Sequence, residues 1–367
     1  MTYRKSRIRI ALLSLGLFGV AGLACLPVLA DALSKPLTFE NLTTVDGLSS
    51  DMVLSIGVQS GKVWFGTYAG GATLYDPASR TFKAYTTKGE PQDKTDGRSI
   101  DWKNSLPYNH VSAIQVDGDQ VWFGTYFYGF GGGGISAYRA ASKSPWRKFT
   151  TFNRRAKKVV SLAVDPKGVW VGSERGLSYL DRKTGQWSLF YTTTDGLAGN
   201  FVNALVNEAD VLWAGTNAGV SRFDKTRKTW KTYALKEGIE DLDVKCLARV
   251  GDGLWAGTSG GKLFAYDPSA DRWAAVPVPE GLAKGTINSL AVSAGRAFVC
   301  RDDGVDVRDL TSGQWTGLRS ADGLPSDTVL CSSPAPDGIW FGTDSGASFL
   351  RLTGTGASPQ AQLRKTP

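Results

Sequence analysis

Histidine is almost missing from this chain of 367 residues: His110 is the only one, beside two methionines and four cysteines. One imidazole excludes a multi-histidine metal centre and any mechanism that needs a pair of them. The cysteines, Cys25, Cys246, Cys300 and Cys331, show no C-x-x-C or C-x-x-H spacing, so neither zinc binding nor haem attachment is indicated. No metal and no cofactor is therefore expected. Long apolar runs are absent after residue 30, and no later stretch is apolar enough to cross a bilayer as a helix. A strong excess of one charge is lacking too: 42 Lys and Arg stand against 34 Asp and Glu. Of the net +8, four charges sit in residues 1–30, which hold no acid, so the remainder carries only +4. That makes no case for nucleic acid as a partner.

Glycine and tryptophan are what the chain has in quantity, with 44 and 12 copies. So much glycine argues for many tight turns and against helical bundles, while an apolar share of 42% is enough for a sizeable core.

The first 30 residues read as an export signal, its end drawn at Ala30 or at Ala32. Arg4, Lys5, Arg7 and Arg9 precede an apolar run from Ile10 to Ala30, and small residues come next at cleavage spacing. Cleavage, retention as a membrane anchor and lipid attachment at Cys25 all stay open. In each case the rest of the chain is expected on the exported side, periplasmic or secreted.

A unit of the form Trp-x-Gly-Thr organises the remainder of the chain. It begins at Trp64, Trp122, Trp170, Trp213, Trp255 and Trp340, with a degenerate copy, Phe298-Val299-Cys300-Arg301, before the last. The spacings are 58, 48, 43, 42, 43 and 42 residues. Each unit carries an alternating strand, the tryptophan strand, a third strand after a glycine turn, and a fourth that opens on an aromatic. Four antiparallel strands per repeat predict a β-propeller blade. The seventh unit stops after its third strand, whereas Leu37–Thr43 is an orphan strand bearing Phe39 where the fourth-strand aromatic belongs. The expected fold is thus all-β: a seven-bladed propeller over residues 37–353, its last blade completed from the front, with a polar tail at 354–367. Closure removes the unpaired edges that invite aggregation.

Residues 46–77 show the unit best: Asp46-Gly47-Leu48, Val53, Trp64-Phe65-Gly66-Thr67, Gly70-Gly71 and Tyr75-Asp76-Pro77. The pattern resembles the two-component regulator propeller repeat. The resemblance implies an exported sensing domain, often set ahead of a membrane span and a histidine kinase. Here the chain ends at Pro367 with neither, so any signal is expected to pass to a separate protein, such as a sensor kinase.

Departures from the repeat on the channel-mouth face mark the candidate ligand site, because packing does not require them. The first is the long link 88–109, which carries Trp102 and Tyr108 ahead of His110. The second is Tyr126-Phe127-Tyr128-Gly129-Phe130 with four glycines after it, where other blades turn tightly. The third is the basic run Arg154-Arg155-Ala156-Lys157-Lys158. With Tyr68, the residue after the first Gly-Thr, these offer aromatic and cationic surface suited to a glycan, an anionic ligand or an acidic protein. The same residues also read as caps and solvated links. The acids of Asp46-Gly47, Asp195-Gly196, Glu237-Gly238, Glu280-Gly281 and Asp322-Gly323 are expected to shape turns rather than to bind. Three cysteines remain after the leader: Cys300 pairs with Cys246 or Cys331, or all three stay buried thiols.

The expected function is non-catalytic recognition, sensor-like, at the channel mouth. The alternatives are an envelope-assembly scaffold with a partner protein on a ring face and, against the histidine count, a polysaccharide or cyclic-ester lyase or hydrolase.

Overall fold

A computed structural model describes residues 37–87, 105–126, 133–150, 158–282 and 284–352. The leader, the tail and the candidates Trp102, Phe127, Tyr128, Phe130, Arg154, Arg155 and Lys157 lie outside the described residues.

Seven four-stranded antiparallel sheets form a ring. Blades one to six span residues 53–85, 110–150, 159–191, 202–233, 244–275 and 287–318. Blade seven takes three strands from residues 329–351, and its fourth is the first strand of the protein, Phe39–Leu42. That strand lies against Gly346–Arg351 in the register Phe39 to Leu350 through Leu42 to Ala347. The closure expected from the sequence is the closure observed.

The core is not one body but seven, each between two neighbouring blades. Two features of the repeat explain this. The glycine of Trp-x-Gly-Thr makes a hollow for the first-strand valine of the next blade: a Cβ on Gly66 would stand 2.7 Å from Val111 Cγ1. The leucine or isoleucine after four of the link glycines, Leu48, Leu197, Ile239 and Leu324, is buried in a seam. Burial of such side chains contributes about 1.5–3 kcal/mol each.

A ring of polar contacts stitches the seams together. Each innermost strand has a bulge immediately after its opening valine or isoleucine, which takes that residue's carbonyl out of the regular ladder. The preceding blade answers the freed carbonyl every time. Ser55 donates to Val111 O at 3.0 Å, Ser161 to Val202 O at 3.0 Å, Asn203 to Val244 O at 2.8 Å and Asn288 to Val329 O at 3.1 Å. Ser112 donates to Val159 O, and the thiols of Cys246 and Cys331 reach Ile287 O and Val53 O, each at 3.6 Å. All seven interfaces are bonded this way. It also resolves the cysteine alternatives, since Cys246, Cys300 and Cys331 are buried, unpaired thiols.

Blade six breaks the rule in a compensated way. Elsewhere the Thr or Ser of the motif donates to the carbonyl opening the third strand, as Thr67 does to Gly71 O at 2.9 Å and Thr343 to Gly346 O at 2.8 Å. In blade six that place holds Arg301, and the position normally taken by Thr73, Ser221 or Ser348 holds Asp306. Both are fully buried and paired, Arg301 Nε to Asp306 Oδ2 at 2.8 Å. Arg301 Nη1 also donates to Gly261 O at 2.8 Å and Gly285 O at 3.1 Å, tying blade six to the turn of blade five. Arg319 stands 3.6 Å from the other Asp306 oxygen.

Candidate binding site at the channel mouth

At one end of the ring the turn after each second strand meets the start of the first strand. Tyr68 N–H donates to Met52 O at 2.9 Å, Asn217 to Phe201 O at 3.1 Å, Ser259 to Asp243 O at 2.9 Å and Asp344 to Thr328 O at 3.3 Å. Glu174 N–H donates to Lys158 O, and Asp302 N–H to Thr286 O, each at 3.3 Å. The mouth is therefore lined by two residues per blade, the one that opens the first strand and the one that comes after Gly-Thr.

These residues are not distributed evenly. Blades one to three contribute Met52, Tyr68, His110, Tyr126, Lys158 and Glu174, and the structure brings Tyr68, His110, Tyr126 and Lys158 together. His110 begins the inner strand His110–Asp117, in register with Tyr126 at the end of Gln120–Tyr126. Its ring lies 3.8 Å, centroid to centroid, from Tyr68 at a steep 74° and 4.3 Å from Tyr126 at 48°. Lys158 pairs with Tyr126 in an isolated bridge and holds its ammonium 5.0 Å from the centre of the Tyr126 ring. Tyr68 is 41% exposed whereas His110 is only 7% exposed. Tyr108 is half-buried two residues before the histidine.

Burial, helped by the Lys158 charge, pushes the His110 pKa down to about 4. At neutral pH the cluster thus presents an uncharged imidazole wedged between two phenol rings, with one cation at its edge. Chemically this is a stacking surface with an anion anchor.

Blades five to seven contribute acids to the mouth: Asp243, Asp302 and Asp344 are engaged by Lys245 at 2.8 Å, Asn288 at 2.6 Å and Ser345 at 2.9 Å respectively. No group of three or more metal-ligating side chains occurs among the described residues.

The link acids behave as turn formers. Asp46, Asp195, Glu237 and Asp322 each accept from the backbone N–H three residues earlier, at 2.8–2.9 Å. The glycine after each adopts a left-handed φ, +122° at Gly323, where a Cβ would lie 2.6 Å from Phe39. These four acids are thus occupied by their own turns, as expected of them, and Phe39 fills the fourth-strand aromatic place of blade seven.

The sequence matches no protein-family model and no curated protein. Its structure is similar to solved propellers. The extracellular domain of a Bacteroides thetaiotaomicron protein described as a hybrid two-component system superposes with a TM-score of 0.69 at 21% identity, over 87% of this chain and 42% of that one. A second from the same organism, described as a one-component system, gives 0.67 at 20%, over 90% and 42%. Virginiamycin B lyase from Staphylococcus aureus gives 0.62 at 14%, over 86% and 99%. The chain spans about two fifths of the two Bacteroides thetaiotaomicron chains. The likeness is one of fold, and it agrees with the resemblance carried by the repeat: a seven-bladed propeller of the kind found in extracellular domains of two-component systems.

Proposed function

We propose that this chain is an exported, non-catalytic recognition propeller of sensor type, and that its ligand docks at the mouth over blades one to three. The observation that carries this reading is the Tyr68–His110–Tyr126 stack with Lys158 at its edge. The histidine supports binding rather than turnover, because its ring is used in packing between two aromatics. A ligand with a flat apolar face and an acidic group, such as an anionic glycan, fits that combination: ring on Tyr68, charge toward Lys158. The neighbours that are extracellular domains of two-component and one-component systems support the same reading, while the lyase neighbour means that fold alone does not decide it.

The test is calorimetry of the protein with anionic and neutral oligosaccharides. Tyr68→Ala and Lys158→Gln should each weaken binding of the anionic members about tenfold or more, with the fold intact by circular dichroism. Binding by both variants as tight as that of the parent would rule out the site. Substrate turnover abolished by His110→Phe would overturn the non-catalytic reading.

A further inference from the structure

Tyr68, His110 and Tyr126 converge although the longest link of the ring runs into the histidine. A bond that recurs between blades explains how. In three ordinary links an Asp or Asn stands two residues before the buried valine of the first strand, and its side-chain oxygen accepts the backbone N–H seven residues back. Asp51 accepts from Thr44 at 2.6 Å, Asn200 from Thr193 at 2.8 Å and Asp327 from Ser320 at 2.5 Å. Asn109 holds the same place in blade two, and its side-chain oxygen accepts from Thr87 N–H at 2.7 Å, across 22 residues. With 22 residues in place of seven, this link carries fifteen more than the others and still makes the bond.

The end of the link is ordinary as well. Three residues before the Asp or Asn stands a buried leucine: Leu48, Leu197 and Leu324 are 3–4% exposed, and Leu106 is 0% exposed. The added residues therefore fall between Thr87 and Ser105, and these two are joined, Ser105 Oγ donating to Thr87 O at 3.2 Å. Asn109 also reaches the neighbouring blade. Its carbonyl accepts from Gly71 N–H at 2.8 Å, and Gly71 ends the turn that carries Tyr68, in which Ala69 has a left-handed φ of +60°. One residue thus fastens the base of the insertion and the Tyr68 turn, and its chain neighbour is His110.

We propose that Asn109 is a positioning residue of the mouth: its side-chain bond to Thr87 holds the enlarged link in the geometry of an ordinary one and so sets the His110 ring between Tyr68 and Tyr126. A stack set in advance loses less freedom when a ligand settles on it. The consequence for binding rests on the proposed function above, whereas the placement of the ring does not.

His110 is the only histidine, so its Cε1 proton gives one assignable magnetic-resonance signal. At about pH 8 the ring is uncharged, and the two flanking phenol rings displace that signal from its position in a free imidazole. Asn109→Leu removes the acceptor with a residue the repeat already uses: Leu242 stands at this place in blade five and keeps the backbone bond, from Gly219 N–H at 2.7 Å. This variant should return the His110 signal most of the way to the free position and weaken binding of an anionic oligosaccharide about tenfold. Asn109→Asp keeps the acceptor, as Asp51 and Asp327 do, and should restore the signal. Asn200→Leu removes the same bond from another link. It should lower the melting temperature by a similar amount yet leave the His110 signal and binding unchanged. The proposal is overturned if Asn109→Leu leaves the signal at the parent's position, if Asn109→Asp does not restore it, or if Asn200→Leu moves it equally. A parent protein that binds no oligosaccharide would sink the proposed function, while the His110 signal would still decide the role of Asn109.

Discussion

Arg301 and Asp306 give the sharpest test of how the repeat is built. Replacing Arg301 by Thr, the residue of most other blades, takes the closer guanidinium from the buried Asp306 carboxylate and leaves Arg319 at 3.6 Å. It also strips Gly261 O and Gly285 O of their donor. Breaking one side of a buried pair costs about 3–5 kcal/mol, and the remaining Arg319 places this case near the lower end, at about 3–4. Asp306→Ser alone orphans the guanidinium but spares its two carbonyl bonds, so about 2–3 kcal/mol is expected. The double variant Arg301→Thr, Asp306→Ser rebuilds the pair used elsewhere, with the new threonine hydroxyl placed to donate to Gly304 O. It should cost only about 1–2 kcal/mol, from lost carbonyl contacts and the volume of the arginine. Urea unfolding monitored by tryptophan fluorescence measures all three, and the coupling energy should be about 3–6 kcal/mol. Additive losses, with the double variant as damaged as the sum of the singles, would refute the claim that the two departures compensate each other.

Acid should destabilise the protein through His110. Its low pKa, about 4 against an ordinary 6.5, means that the unfolded chain takes up a proton first as pH falls. Its contribution to stability is complete above about pH 6.5 and declines toward about pH 4, by about 1–3 kcal/mol, and His110→Phe should flatten that part of a stability-versus-pH curve. Burial raises the thiol pKa of all three propeller cysteines, that of Cys300 to about 12, so a thiol reagent at about pH 8 should modify them only as fast as the protein unfolds. Gly323→Ala forces a Cβ into Phe39 at a left-handed φ and should cost about 2–4 kcal/mol in thermal denaturation. Gly295→Asn, where no atom stands near the new Cβ and asparagine tolerates the left-handed turn, should cost about 0.5 kcal/mol in the same assay.

The ring was legible because its signals repeat. A tryptophan and a glycine in six of the seven units, an Asp-Gly or Glu-Gly in five links and a strand left over at the front are all visible in one dimension. The turn role of Asp46, Asp195, Glu237 and Asp322 and the small-residue role of Cys246 and Cys331 were readable for the same reason. What was hidden depends on the neighbouring blade. The donors of the seam ring alternate between two positions of the bulge, Ser112 at one and Ser161 at the other, and look unpatterned until the bulge aligns them. Arg301 was visible as a departure in the degenerate copy, yet only the fold shows Asp306, five residues on, as its partner. Of the mouth candidates, Tyr68, His110, Tyr126 and Lys158 converge because register brings them together.

Closure by Phe39–Leu42 also has a mechanical side. The strand runs antiparallel to Gly346–Arg351, so Phe39 is opposite Leu350, and Arg351 N–H reaches Thr38 O at 3.3 Å. Residues 37 and 352 therefore emerge side by side. Tension drawing them apart would load one rung at a time, as in unzipping, rather than all rungs together, as in shear. The ring would then open first at this clasp, at low force, with the other six blades still intact.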